Sequence, residues 1–217
     1  MNIVRNHEVP FFPNINNRCG VATNQMILGY FEPDFHPSHA EMDDFTGQVE
    51  GMGAWSIASM LSFAKRGYDL VWVEDFDFHK FSKDALGYLR ELFKDEEKIE
   101  YQLTHSDIPA EQARAESYLS QGLPFENRTG TIKDIKRLLD EGFLIRLEVN
   151  GMPLAGKDGY CGHMVLAIDY DYDNIIIHNP DGIYGSLPNQ IVPNDLLLRS
   201  WREFGGSFAL QGVRKQR

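Results

Sequence analysis

Residues 162–182 read GHMVLAIDYDYDNIIIHNPDG. HMVLAIDY and NIIIHNP are two apolar runs, and Asp171–Asn174 between them has the composition of a tight turn. The pattern predicts an antiparallel hairpin. Such a hairpin lays the start of its first strand beside the end of its second, so His163 and Asn179 become neighbours. Just upstream, TIKDIKRLLDEG (131–142) predicts a short helix capped by Thr131 and closed by Gly142. FLIRLEV (143–149) predicts a strand buried on both faces, and the glycine-rich NGMPLAGKDGYCG (150–162) a loop. GSFALQGV (206–213) reads as a last strand.

The first half reads differently. Residues 1–18 are rich in Pro and Asn and predict an extended lead-in. From Cys19, the positions Val21, Ala22, Met26, Ile27 and Tyr30 follow helical spacing, and Pro33 stops the helix. Ser38 and Glu41 form a capping-box pattern for a second helix. A third helix covers Ala54–Arg66 and ends at Gly67. YDLVWVE (68–74) alternates like a strand. SKDALGYLRELFKDEEK (82–98) reads as one charged helix starting at Ser82, and PAEQARAESYLSQG (109–122) as another. Helices first and antiparallel strands second predict an α+β fold.

The chain has 217 residues, 42% of them hydrophobic, and a net charge of −11. That charge argues against nucleic acid and against an anionic membrane surface as partners. No apolar run approaches the roughly 18–20 residues that cross a bilayer. MNIVRNHEVPFF has no apolar stretch long enough for a signal peptide. Together these predict a reducing, cytoplasmic setting. Two cysteines make no disulfide framework, which turns attention to their chemistry.

Cys19 falls at a predicted helix N-terminus, where unpaired N–H groups and the helix dipole favour an anion and are expected to lower a thiol pKa. Its competing reading is a small buried apolar residue. His163 alone reads as a structural histidine, and Asn179 alone as turn chemistry before Pro180. Together the three make a nucleophile, a base and a residue that orients the base.

The segment VPFFPNINNRCGVATNQMILGYF (9–31) resembles the start of the bacteriocin-leader (double-glycine) peptidases, a family of the papain-like cysteine peptidases. TIKDIKRLLDEGFLIRLEVN and GHMVLAIDYDYDNIIIHNPDG resemble that family's helix–strand and histidine blocks. The likeness covers roughly residues 9–31 and 131–182. It implies a single papain-like α+β domain over 1–217, a helical half packed on an antiparallel sheet, with 68–130 as a variable helical insertion. It also implies Cys19 as nucleophile, His163 as general base and acid, and Asn179 as orienting residue, where the family usually has Asp. The family's oxyanion glutamine lies six residues before the cysteine, a position held here by Pro13. Asn14 is the candidate to replace it, with Asn16 and Asn17 as weaker candidates that suit capping better.

The expected activity is hydrolysis of a peptide or isopeptide bond in a peptide or protein substrate, without cofactor or metal. The alternatives are a papain-like acyltransferase or peptide-bond-forming enzyme, and a non-catalytic peptide-binding module of the same fold. Cys161, two residues before His163, is the candidate partner for a redox switch with Cys19. Asp169, Asp171 and Asp173 alternate as in a calcium loop, but Asn174 and Pro180 stand where an EF-hand needs Gly and Glu. His36 and His39 lack a spaced set of zinc partners, and GKDG (156–159) lacks the rest of a phosphate loop.

Overall fold

The structure, a computed structural model, describes residues 8–15, 18–180, 185–202 and 209–215. Asn16 and Asn17 lie outside the described residues.

Helix α1 (Cys19–Phe31) is the first described element. It is buried on more than one side, with Met26, Ile27 and Leu28 at 0% exposure. Each such side chain contributes about 1.5–3 kcal/mol when removed from water. Its last turn is held from outside. Glu32, the residue that ends it, takes Arg66, the Tyr68 hydroxyl (2.7 Å) and Lys215 (3.0 Å). Burial alone would raise that carboxyl, but the three donors together hold it down, to about 2.

Helix α2 (His39–Thr46) carries the expected capping box, with Ser38 and Glu41 bonded reciprocally. Helix α3 (Ser56–Lys65) ends just before Gly67, whose φ of 78° lies in the left-handed region. Strand β1 (Tyr68–Glu74) follows. Next come α4 (Phe78–Phe81), α5 (Ala85–Phe93), α6 (Glu96–His105) and α7 (Ile108–Ser120). The single helix expected over 82–98 is therefore two, α5 and the start of α6. Ser82 ends α4, while Asp84 caps α5 and Asp95 caps α6. Lys94 turns left-handed between α5 and α6 (φ 52°). Asp side chains that bond nearby N–H groups compete with the helix, and here they win.

The rest of the chain alternates. After the short β2 (Glu126–Asn127), helix α8 (Ile132–Asp140) is capped by Thr131 as expected. Strand β3 (Leu144–Asn150) leads into the single-turn α9 (Gly151–Leu154), which lies inside the expected loop. Strands β4 (Gly162–Tyr170) and β5 (Asn174–Asn179) form the hairpin. Its tip closes on Asp171, which accepts from the Asp173 and Asn174 N–H groups. Strand β6 (Leu187–Pro193), helix α10 (Asn194–Arg202) and strand β7 (Leu210–Lys215) complete the described chain.

The fold is α+β: one seven-stranded sheet in the order β2-β1-β7-β3-β4-β5-β6, antiparallel except for β1–β2. Two expectations need correcting. Helices cover both faces of the sheet. The Trp72, Leu144 and Leu166 face packs with α1, α3 and α7 residues. The Leu147, Val165 and Ile177 face packs with Ile135 and Leu138 of α8 and Leu197 and Trp201 of α10. In addition, residues 68–130 are not solely helical. β1 alternates inward residues, pairs with β7 from Tyr68↔Lys215 to Val73↔Leu210, and extends the main sheet.

Candidate active site

Three parts of the chain meet where α1 begins, β4 begins and β5 ends. The lead-in segment is tied there by two bonds. The Asn14 N–H donates to the Pro180 carbonyl (2.8 Å), and the ring of His178, one residue before Asn179, bonds the Val9 carbonyl through Nε2 (2.9 Å). The Asn189 N–H donates to His178 Nδ1 (3.1 Å), so both ring nitrogens are used in the neutral form. Burial lowers the His178 pKa, while the Val9 carbonyl pulls it the other way.

His163 is 7% exposed, and its Nε2 lies 2.8 Å from Asn179 Oδ1. The hairpin thus joins the two residues as the sequence pattern predicts. Asn179 Nδ2 donates to Gln190 Oε1 of β6 (2.9 Å). That second bond fixes which half of the amide faces the ring. With an amide oxygen opposite, Nε2 carries the hydrogen and Nδ1 is the basic nitrogen. Gly151 packs behind the ring, where an added Cβ would stand 3.3 Å from His163 Cβ.

Cys19 is the first residue of α1 and is partly exposed. Its thiol bonds the backbone of Met164, one residue along β4 from His163, and that of Gly20. The expectation of a lowered thiol pKa is overturned. Burial pushes the Cys19 thiol up, and it outweighs the Met164 and Gly20 backbone bonds; Glu148 adds to the rise and Arg146 opposes it. A helix end favours a thiolate only to the extent that desolvation does not cancel it.

Asn14 uses its amide oxygen to accept the Arg18 N–H at the start of α1. This leaves the –NH2 as the half of the amide not used by the helix. Arg18 itself pairs with Asp43 and gives α1 no side-chain cap.

Cys161 lies outside β4, which begins at Gly162. Its N–H donates to Asn150 Oδ1 (3.0 Å), and its carbonyl accepts from Gly151 N–H (2.8 Å). Asn150, which the sequence did not single out, also donates to the Gly159 carbonyl (2.8 Å) and so stitches the loop before His163. A cavity of about 280 Å³ opens beside Asn179, with Gly151, Leu154, Lys157, Leu187 and Gln190 among its walls.

Beneath α1 the sheet carries polar groups. Arg146 and Glu148 are on β3, and Glu74 is on β1. Burial raises the Glu148 carboxyl despite Arg146. It raises Glu74 well above the usual range, helped by Glu148 and opposed by the Trp72 indole N–H (2.8 Å). Burial pulls the Arg146 guanidinium down, to about 10, so it is still a cation at neutral pH. An arginine in the middle of an apolar strand was the signal available in FLIRLEV.

Among the described residues, no group of three or more His, Cys, Asp and Glu side chains is placed to hold a metal, and no helix is long and apolar enough to cross a membrane. No family model matches the chain, and no curated protein matches it.

Proposed function

We propose that the chain is a papain-like cysteine peptidase that hydrolyses peptide or isopeptide bonds. The observation that carries this reading is the His163 Nε2–Asn179 Oδ1 contact at 2.8 Å, one residue along β4 from the backbone group that the Cys19 thiol bonds. In the proposed cycle Cys19 gives its proton to His163 Nδ1, and the thiolate attacks the scissile carbonyl. The Asn14 –NH2 and the Cys19 N–H hold the resulting oxyanion. His163 then protonates the leaving amine, and afterwards takes a proton from the water that cleaves the thioester. A reducing compartment suits a chain whose two cysteines are both unpaired.

One observation favours the second reading, a peptide-binding module of the same build: burial raises the Cys19 thiol. Thiol alkylation separates the two. Iodoacetamide is applied from about pH 4 to 9 and read by peptide mass spectrometry; because burial pushes the thiol up, the peptidase reading requires His163 to bring Cys19 reactivity down, below the ordinary thiol value of about 8.5. That reactivity should depend on His163, and a mixed peptide library should be cleaved by the native chain but not by Cys19→Ala. Superimposable profiles for native and His163→Ala protein, with no cleavage, would overturn the enzyme reading in favour of the binding module.

A further inference from the structure

Arg146 is 1% exposed, and neither its Nε nor its Nη1 has a hydrogen-bond partner. An unpaired buried cation is strongly unfavourable unless an anion faces it. Glu148, two residues along β3, is the carboxylate that acts on it. Arg146 and Glu148 form no ion pair among the described residues, and burial favours the neutral form of Glu148. Gln211, directly across from Arg146 on β7, leaves both of its own buried polar atoms unpartnered.

What does face Arg146 is the start of α1. A Cβ built on Gly20 would stand 3.9 Å from Arg146 Nη2, so the guanidinium lies under the second residue of that helix. Two positions further along β3, Glu148 is in register with Met164, whose backbone bonds the Cys19 thiol. The first turn of α1 holds no acidic residue, and its N-cap side chain contributes no bond. A 13-residue helix end and a buried guanidinium thus converge on one place, with no acidic residue in the helix's first turn and no ion pair to Glu148 among the described residues. Cys19 is the group there that becomes an anion by losing a proton.

We infer that Arg146 is the built-in counter-ion of the Cys19 thiolate, seated beneath the helix end to stabilise the nucleophile before substrate arrives. The inference rests on the reading of Cys19 as a thiolate-forming residue. In the step itself the Sγ–H bond breaks and the proton goes to His163 Nδ1. The electron pair stays on sulfur, and no bond forms to Arg146. The charged groups that act on the thiol are Glu148 and Arg146 of β3, with Glu148 acting in turn on Glu74 of β1, and His163 is one residue along β4 from the Met164 backbone that the thiol bonds. Arg18 is engaged by Asp43. Arg146 acts on the reacting atom through its field, which is a role distinct from that of the base.

The test is the pH midpoint of Cys19 alkylation in the full chain for native protein, His163→Ala, Arg146→Met, Arg146→Gln and Arg146→Lys. Folding is checked by cooperative thermal melting. Loss of the cation should move the midpoint up by about one pH unit or more, the usual effect of removing an opposite charge. Arg146→Lys should keep most of the native midpoint. Arg146→Met should melt no lower than native protein, because it removes an uncompensated buried charge. If one neutral variant fails to fold, the other carries the comparison. Neutral variants with the native midpoint overturn the inference, whatever His163→Ala does. A midpoint that moves with Arg146 but not with His163 supports the thiolate seat and overturns the triad. If neither moves it, both fall.

Discussion

The Asn14 N–H donates to the Pro180 carbonyl across 2.8 Å, so the segment that leads into Cys19 hangs from the strand that ends in Asn179. With the His178–Val9 bond, it ties the segment ahead of Cys19, the proposed nucleophile, to the strand that carries Asn179, the proposed orienting residue. A shift of β5 moves both.

Asn14 is the residue to vary first. Asn14→Asp keeps the oxygen that accepts the Arg18 N–H but loses the –NH2 donor. Under the proposed mechanism kcat falls about 100- to 1000-fold, the range seen for loss of one oxyanion donor, while KM and melting temperature stay near native. Steady-state kinetics on a cleaved peptide measure this, and an unchanged kcat removes Asn14 from the oxyanion site.

Under the proposed mechanism, the link from Gln190 through Asn179 to His163 makes a graded prediction. Asn179→Ala leaves the ring unoriented and should lower kcat/KM by about 100-fold, the lower end of what a general base contributes. Asn179→Asp still offers an oxygen to Nε2 and should retain most activity. Gln190→Leu frees the Asn179 amide to rotate and should fall between the two. A Gln190→Leu enzyme with native kcat/KM would show that the amide is held by other contacts.

His178 sets a pH dependence of stability. Its folded value is depressed below the ordinary 6.5 by burial. At higher pH neither state carries the proton, and the contribution is complete. As pH falls below 6.5, the unfolded chain takes up a proton that the folded ring refuses, and the contribution is lost as pH drops through the folded value. Urea unfolding at pH 7.5 and at pH 5 should show native protein losing more stability than His178→Gln across that interval. At pH 7.5 the variant should be the weaker by about 1–3 kcal/mol, because it strands buried partners at Val9 and Asn189. Parallel losses in the two proteins would rule this out.

The central hairpin, the buried β3 and the caps at Ser38 and Thr131 were legible because each is a local pattern: alternation, an apolar run, or a side chain three residues from the N–H it bonds. β6 was not legible. It runs LPNQIVP, mostly exposed, and is a strand because β5 offers it an edge. α10 stayed hidden behind it. The neighbours of His163 divide in the same way. Asn179 follows from hairpin geometry, whereas Gln190 comes from that unseen strand. Cys19 was placed correctly at a helix start, but the direction of its pKa was misjudged. The spacing that marks a helix N-terminus carries no information on how deeply the sheet and α1 bury the sulfur.

The seating of β7 between β1 and β3 has a consequence for how the molecule is made. The strand that bridges the two halves of the sheet follows every other described strand along the chain. Until it emerges from the ribosome, β1 has only the short β2 beside it, and the β3–β6 half has no neighbour on its β3 side. The pairing of β1 with β7 spans much of the sequence, and such long-range closure is slow. The floor beneath α1, with Arg146 paired in register to Gln211, is completed only at that moment. The growing chain thus carries Cys19 for most of synthesis without the complete floor beneath α1.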